Sequence, residues 1–251
     1  MPGLAAQFFG GLLLGLRIGP AIAFAPPFSL VRIPRTFRML LALGLGTSIA
    51  ASRPQALVAL QLSPGPLFAA GLSELVLGIL FAVILQAAFA AIYVAGRTID
   101  LQAGFGLSVL IDPTSNASTP LFGSIFAMLA GMLFFAAGGQ YELVRIVAAS
   151  TDVVPLGTAP IRLSIKPVID LLSAASIMAM GAAGAAILTL FLVDIAIAML
   201  SRTLPQMNVL VLGLQVKVIV LLAVLAPTLG VAAALLMRIM RLALASLAGL
   251  G

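Results

Sequence analysis

The sequence predicts an all-α membrane-class protein built from about six long apolar helices. Hydrophobic residues make up 63% of the 251 residues and charged residues only 8%, whereas a soluble domain carries about 25% charged residues. The apolar residues form long runs rather than alternating patterns, which is typical of helices that are apolar on all sides. Clusters of proline and glycine separate the runs and predict breaks between the helices.

Missing residue types exclude several kinds of site. The chain contains neither cysteine nor histidine, which excludes disulfides, thiolate or imidazole metal ligands and catalysis by Ser-His-Asp or Cys-His groups. We expect no catalytic residue, no metal and no cofactor. The net charge of +6 raises the question of nucleic acid, but the basic residues are scattered and lack interleaved aromatic residues. They are better explained as positive flanks of apolar helices.

Six apolar runs define the predicted helices, at residues 7–28, 39–51, 67–94, 120–137, 171–200 and 209–236. The second run has 13 residues, about 20 Å of helix, which is shorter than the roughly 30 Å hydrocarbon core of a bilayer. If all six helices cross a membrane, the basic residues of the loops divide six against five between its two sides. This lack of bias indicates either different spans or a helical assembly that is not a conventional bilayer bundle.

The proline-bearing region 153–167 is the best internal boundary of what we treat as one domain, residues 1–251. It separates a four-helix part, residues 1–152, from a C-terminal helical hairpin, residues 168–251. Residues 138–152 carry polar and apolar side chains together and predict an amphipathic connector just before the boundary.

Three glycines in the first run, Gly11, Gly15 and Gly19, recur at four-residue spacing. They create a small face on which a neighbouring helix can approach closely. The alternative explanation is the ordinary enrichment of glycine in membrane helices.

Charged residues inside the apolar runs are candidates for function because their burial costs several kcal/mol unless they are paired. Asp194 lies eleven residues before Pro205, and Lys217 lies nine residues after Asn208. A hairpin that turns between them places the two charges about 16 Å and about 14 Å from the turn. We expect a structural ion pair at this depth, with a proton relay and an absence of contact as the alternatives.

Two further charged residues lie in the N-terminal part. Glu74, near the start of the third run, is either a solvated helix end or a buried functional carboxylate. Arg17 lies three residues before Pro20, so we expect its side chain to extend to the helix end or to reach a carbonyl freed by that proline.

Gly104, Phe105 and Gly106, followed by Asp112 and Pro113, interrupt the helical pattern. Glycine relaxes a helix, and a proline disfavours helical geometry in the residue before it. Non-helical backbone at membrane depth is tolerated only where it is buried in protein or lines a cavity. The segment is therefore a candidate for backbone that is buried in protein or lines a cavity, with a plain surface loop as the alternative.

Four segments, taken in order, follow the pattern of one known family. They are Arg17 with Pro26 and the basic connector 32–38; Gly104-Phe105-Gly106 through Asp112-Pro113; Gly139-Gln140 through Pro155-Leu156-Gly157; and Leu204-Pro205-Gln206-Met207-Asn208-Val209, with Arg202 before it and Lys217 after it. The last of these is the most specific. On these residues the chain resembles the FliR family of flagellar type III export-gate proteins, whose injectisome counterparts are homologous. The resemblance covers nearly the whole chain.

The resemblance implies a non-enzymatic part of a protein-export channel. FliR-like proteins assemble with several copies of FliP and FliQ into a helical gate that passes unfolded flagellar subunits, and FlhB is a further expected partner. The implied location is the bacterial inner membrane at the flagellar basal body. Residues 1–152 would be FliP-like and residues 168–251 FliQ-like.

The resemblance also divides gating from assembly. It maps a plug loop onto residues 104–120, whose pore-lining candidates are Gly104, Phe105, Gly106, Leu107, Leu110, Asp112 and Pro113. It gives an assembly role to the hairpin residues Asp194, Arg202, Pro205, Gln206, Met207, Asn208 and Lys217. The competing reading is a proton-coupled secondary transporter that uses Glu74, Asp194 and broken helices, although the sequence shows no paired intramembrane carboxylates.

Overall fold

The computed structural model describes residues 3–57, 63–105, 120–157, 166–203 and 209–248, and within these ranges all regular structure is helical. Seven α-helices, numbered α1 to α7, occur there together with two 3-10 helices, Phe28–Leu30 and Pro54–Leu57. The α-helices are Leu4–Phe24, Arg35–Ser52, Pro64–Ala103, Leu121–Ala136, Gly139–Val153, Lys166–Thr203 and Val209–Ala248. The predicted all-α membrane-class fold is confirmed.

The helices follow the predicted apolar runs, and α2, α3, α6 and α7 are longer than the runs that predicted them. Helix α3 has 40 residues, α6 has 38 and α7 has 40, whereas about 20 residues suffice to cross a bilayer. Helix α3 continues past the end of the predicted run at residue 94, through Arg97 and Asp100, to Ala103. The predicted connector 138–152 forms helix α5, whose buried residues, among them Leu143, Ile146 and Val147, lie on one face.

Three helices, α1, α3 and α6, are long and apolar enough to cross a membrane. The number rises to five if each of two bent helical pairs counts as one span. The first pair is α4 with α5, where the chain bends at Gly138, whose φ is +74°. The second consists of the two halves of α7, on either side of the proline at position 227. The described residues therefore contain three to five candidate spans rather than six, and α2 is not among them.

The chain divides into two compact units. Unit 1 comprises Met1–Ala88, Phe134–Leu172 and Met240–Gly251, and unit 2 comprises Phe89–Leu133 and Ser173–Ile239. Each unit takes segments from both sides of the predicted boundary at 153–167. The compact units therefore differ from the division into residues 1–152 and 168–251, which stays a prediction from the proline-bearing region and the family resemblance.

Close helix packing in unit 1 depends on glycine. A Cβ atom added to Gly46 of α2 would lie 2.6 Å from the carbonyl oxygen of Gly11 and 2.8 Å from the Cα of Gly15, both in α1. Gly19, the third glycine of this face, lies near Ala42 of α2. A Cβ atom added to Gly78 of α3 would likewise meet α1 backbone oxygens at 2.6 and 2.7 Å. Because these neighbours are backbone atoms, they cannot move aside as a flexible side chain would.

We predict that Gly46→Ala destabilises the purified chain, because the new methyl group would overlap the backbone of α1. Overpacking of this kind costs about 1–3 kcal/mol, which outweighs the roughly 1 kcal/mol that alanine gains over glycine inside a helix. The matched control is Gly44→Ala in the same helix, where an added Cβ atom meets nothing within 4 Å. Thermal unfolding in detergent should show a lower Tm for Gly46→Ala and an unchanged or higher Tm for Gly44→Ala. Equal shifts would contradict the packing argument.

Candidate functional site

A buried ion pair lies at the centre of unit 1. The side chains of Arg17 in α1 and Glu74 in α3 are both 0% exposed. Arg17 Nε donates to Glu74 Oε2 at 2.5 Å, and Arg17 Nη2 donates to Glu74 Oε1 at 2.9 Å. This bidentate arrangement matches the planar fork of the guanidinium to the two carboxylate oxygens, which gives strong and directional hydrogen bonds.

The remaining donors of Arg17 bind the end of α5. Arg17 Nη1 donates to Ser150 Oγ at 2.9 Å, and Nη2 also donates to the carbonyl oxygen of Val154 at 2.9 Å. The backbone N–H of Gly157 reaches Glu74 Oε1 at 3.4 Å. One polar network therefore joins α1, α3 and the chain that leaves α5. These hydrogen bonds to Arg17 and Glu74 matter because a buried charge without partners is strongly destabilising.

The structure corrects two expectations about these residues. Arg17 neither extends to the helix end nor binds a carbonyl freed by Pro20; its carbonyl partner is Val154, 137 residues away in the chain. The interpretation of Glu74 as a solvated helix end is also wrong, since its side chain is fully buried. The sequence of one helix does not show which residues of other helices its side chains will contact. Ser150, the third side chain of the network, carries no sequence signal that distinguishes it.

A second charged cluster, in unit 2, joins α6 and α7. Lys217 Nζ lies 2.5 Å from Asp194 Oδ1, and the two side chains are 17% and 39% exposed. The sequence places these two residues at similar distances from the predicted turn, and the structure brings them into contact. The nearby Arg202 is exposed in the last turn of α6, where a cation interacts favourably with the negative end of the helix.

Gln102 is a third member of this cluster that sequence reasoning missed. Its side-chain Nε2 donates to Asp194 Oδ2 at 3.1 Å, and its backbone oxygen accepts from Lys217 Nζ at 3.0 Å. Both bonds fall at the end of α3, next to Gly104. An uncharged glutamine gives a weaker signal than a buried charge, but its position between Asp100 and the glycines could have marked it.

Asp100, also in the last turn of α3, holds the start of α4. Its side chain is buried, and its two carboxylate oxygens accept hydrogen bonds from the backbone N–H groups of Phe122 at 3.0 Å and Gly123 at 3.1 Å. The helices lie close together here, because a Cβ atom added to Gly96 would be 2.5 Å from the oxygen of Phe122. The two ends of the interrupted segment are therefore fixed to each other.

Of the predicted pore-lining residues, the structure describes Gly104 and Phe105. Gly104 follows the end of α3 with a φ of +89°, a left-handed conformation that glycine adopts without steric cost. The ring of Phe105 stacks on Phe122, with 6.2 Å between the ring centroids. The other predicted residues lie outside the described ranges; they are Gly106, Leu107, Leu110, Asp112 and Pro113 in the loop and Pro205, Gln206, Met207 and Asn208 in the hairpin turn.

Neither cluster has the composition of a metal site. Within the described ranges, no group of three His, Cys, Asp or Glu residues is placed to hold a metal ion. Glu74 and Asp194 are each bound by a cationic side chain. What the arrangement can do is hold helices in fixed positions in an apolar environment.

We predict that the Arg17–Glu74 pair stabilises unit 1 as a pair. Arg17→Met leaves a buried carboxylate without its cation and should cost about 3–5 kcal/mol of stability, whereas Arg17→Met combined with Glu74→Leu removes both charges and should cost less. As a control, Lys166→Met breaks the exposed pair with Asp170 and should change stability by at most about 1 kcal/mol. The measurement is thermal unfolding in detergent. If the double variant loses as much stability as Arg17→Met and Glu74→Leu lose separately, added together, the result would argue against pairing.

Comparison with known proteins gives the same class of protein over nearly the whole chain. The family described as Bacterial export proteins, family 1, matches residues 8–243. The flagellar biosynthetic protein FliR of Escherichia coli strain K12 is 30% identical over 143 residues, which cover 56% of this chain and 54% of that protein. FliR of Bacillus subtilis strain 168 is 28% identical over 151 residues, covering 59% of this chain and 58% of that protein.

Relatives outside the flagellar proteins are similar to a comparable degree. The surface presentation of antigens protein SpaR of Shigella flexneri is 26% identical over 144 residues, which cover 57% of this chain and 56% of SpaR. The chain thus spans little more than half the length of these relatives. The family match itself extends over more than nine tenths of the chain. This protein belongs to the bacterial export proteins, family 1.

Proposed function

We propose that this chain is a non-enzymatic component of a flagellar type III protein export gate. The observation that carries the proposal is the family match, which runs from residue 8 to residue 243. The proposed cargo is the unfolded flagellar subunit, and the proposed location is the bacterial inner membrane at the flagellar basal body. The relatives named FliR favour the flagellar system, although relatives named SpaR match over a similar length.

The surface of the chain supports a role in a larger assembly. Helix α6 exposes many large apolar side chains along its length, among them Ile177, Leu188, Phe191, Ile195 and Met199. A large exposed apolar surface of this kind is covered by lipid or by partner proteins. The proposed partners are homologues of FliP and FliQ, which would form the gate with this chain, and FlhB.

We assign gating to the segment 104–120 and assembly to the C-terminal hairpin. The left-handed Gly104 follows the end of α3 at the start of this segment. The non-helical backbone that the sequence predicts here would be buried in protein or line a cavity if it lies at membrane depth. Closing the pore with this segment would keep small molecules out when no subunit is passing. The segment would then have to move when a subunit passes.

The alternative of a proton-coupled transporter finds no support in the described contacts. Such a protein would use carboxylates inside its apolar helices. Glu74 is held by Arg17, Asp194 by Lys217, and Asp100 by two backbone N–H groups. These carboxylates are engaged in holding helices, which favours a structural role.

We predict that coexpression with FliP and FliQ homologues of its own organism raises the share of the chain that is monodisperse, because its exposed apolar surface then becomes covered by protein. Asp194→Asn and Lys217→Met should each reduce co-purification, since each leaves one charge without its partner, and the double variant should recover it. Size-exclusion chromatography of the tagged complex measures this.

Lys166→Met, which alters an exposed ion pair, is the control and should leave co-purification unchanged. A chain that is monodisperse alone and fails to co-purify with either partner would contradict the proposed assembly. Failure of the double variant to recover would count against pairing.

A further inference from the structure

We propose that a groove between α1, α2 and α3 binds one acyl chain of an anionic phospholipid, whose phosphate is held by Arg32 and Arg35. All residues of this site belong to unit 1. The inference goes beyond the proposed function, because it assigns a ligand to a surface that the role in export leaves without one. It does not depend on that role, so the chain alone is enough to test it.

The groove is apolar throughout. Its volume is about 790 Å³, within the range of about 300–1,000 Å³ that is usual for small-molecule sites. The residues that line it are all Phe, Leu, Met, Ala, Pro or Gly, and three of them, Phe24, Phe68 and Leu72, are more than half exposed. Polar groups inserted here would lose their hydrogen bonds to water without replacement. The groove therefore suits a hydrocarbon ligand.

The groove is also long and narrow. Its lining extends along α1 from Phe9 to Phe24, about 22 Å of helix, whereas an acyl chain spans about 15 Å, half of the roughly 30 Å hydrocarbon core. Spread over about 22 Å, the volume corresponds to a mean cross-section of about 36 Å², less than half that of an α-helix about 10 Å across. A linear chain fits lengthwise, whereas a helix fits only on top of the groove.

Positive charge marks one end of the groove. Arg38, in the first turn of α2, donates from Nη1 to the carbonyl oxygen of Ala23 at 2.6 Å, and Ala23 lines the groove near the end of α1. The start of α2 therefore lies at this end. Arg35 precedes the groove residue Met39 by four residues, which places both on the same face of α2.

Arg32 and Arg35 are cations in need of a counter-charge. Both are exposed. Five ion pairs occur in the described part of the chain, and none of them includes either arginine. The neighbouring Val31 and Ile33 are exposed as well, and such a mixture of basic and apolar side chains is typical of segments at a membrane interface.

One kind of molecule satisfies both ends of the site. An anionic phospholipid carries a phosphate, which the planar fork of arginine binds well, and its acyl chain would cover the groove. Basic side chains beside membrane helices attract anionic headgroups in the same way. A free phosphate would leave the groove uncovered, and a lipid without net charge would leave the two arginines without a counter-charge.

The test uses the full chain purified in dodecyl maltoside, with phosphatidylglycerol or phosphatidylcholine of the same acyl chains added. Native mass spectrometry measures the fraction of the chain that retains lipid. Phosphatidylglycerol should bind about tenfold more tightly, because only this lipid brings net negative charge to the arginines. Equal retention of the two lipids would overturn the proposal.

Arg32→Gln combined with Arg35→Gln removes the headgroup contacts and should weaken phosphatidylglycerol binding about tenfold, to the level of phosphatidylcholine. The matched control is Arg238→Gln combined with Arg241→Gln, which removes the same charge from exposed positions of α7 that do not line the groove. The control should bind as the wild type does. Equal weakening in both double variants would show attraction to overall charge only and would overturn the site.

Gly71→Leu fills the groove. A Cβ atom added to Gly71 would lie 3.7 Å from Leu16 Cδ1, an ordinary contact, so the backbone need not shift to admit the new side chain. Retention of phosphatidylglycerol should fall at least about tenfold, because several methylene groups lose their apolar surroundings. Gly44→Leu is the control, since an added Cβ atom there meets nothing within 4 Å, and it should retain the lipid. Retention by Gly71→Leu would mean that charge alone holds the lipid, which overturns the groove.

A photoreactive phosphatidylglycerol with a diazirine in its acyl chain tests the wild-type chain without any variant. After illumination, the crosslinked peptides should come from the groove, at residues 9–24 and 67–75. Crosslinks spread evenly over the exposed apolar side chains of α6 would show unspecific lipid contact and overturn the site. Loss of co-purification with a FliP homologue in Gly71→Leu, at unchanged lipid retention, would assign the groove to a partner protein and overturn it as well.

Discussion

Each charge buried in this apolar chain needs a partner within the chain, and this constraint sets the positions of the helices. The Arg17–Glu74 pair is fully buried and satisfies it in unit 1 by joining α1 and α3 and binding the end of α5. In unit 2 the Lys217–Asp194 pair is only partly buried, and it joins α6 and α7 with the end of α3 as its third partner. Glycine also helps to set the helix positions. At Gly46, Gly78 and Gly96 the backbone of a neighbouring helix comes so close that a methyl group would not fit.

This distribution of charge bears directly on function. The carboxylates of Glu74, Asp100 and Asp194 bind cations or backbone N–H groups, and these contacts hold helices in place. The chain also exposes large apolar side chains on α6, which need lipid or protein to cover them. A protein that works as one part of an assembly needs its buried charges paired within the chain. It also needs an apolar surface that other members of the assembly can cover.

The amino-acid sequence was sufficient to predict the helical membrane class and the pairing of Asp194 with Lys217, because these depend on composition and on spacing within one hairpin. It was not sufficient to pair Arg17 with Glu74, 57 residues apart, or Lys217 with Gln102, 115 residues apart. Such contacts depend on which faces of distant helices meet. The same limit explains why assembly and gating were assigned to separate segments, although the structure joins Asp194 and Lys217 to the end of α3 beside Gly104.

The most direct test of the account is whether an exported subunit passes the end of α3. The chain has no cysteine, so Phe105→Cys introduces a single reactive thiol in the described start of the gate segment. In the proposed complex with FliP and FliQ homologues, a flagellar subunit stalled during export and carrying one cysteine should form a disulfide with this position when an oxidant such as copper phenanthroline is added to accept the two electrons. It should not form one with the control Phe37→Cys, an exposed aromatic position in α2. Equal crosslinking at both positions, or none at position 105 while export is stalled, would contradict the account.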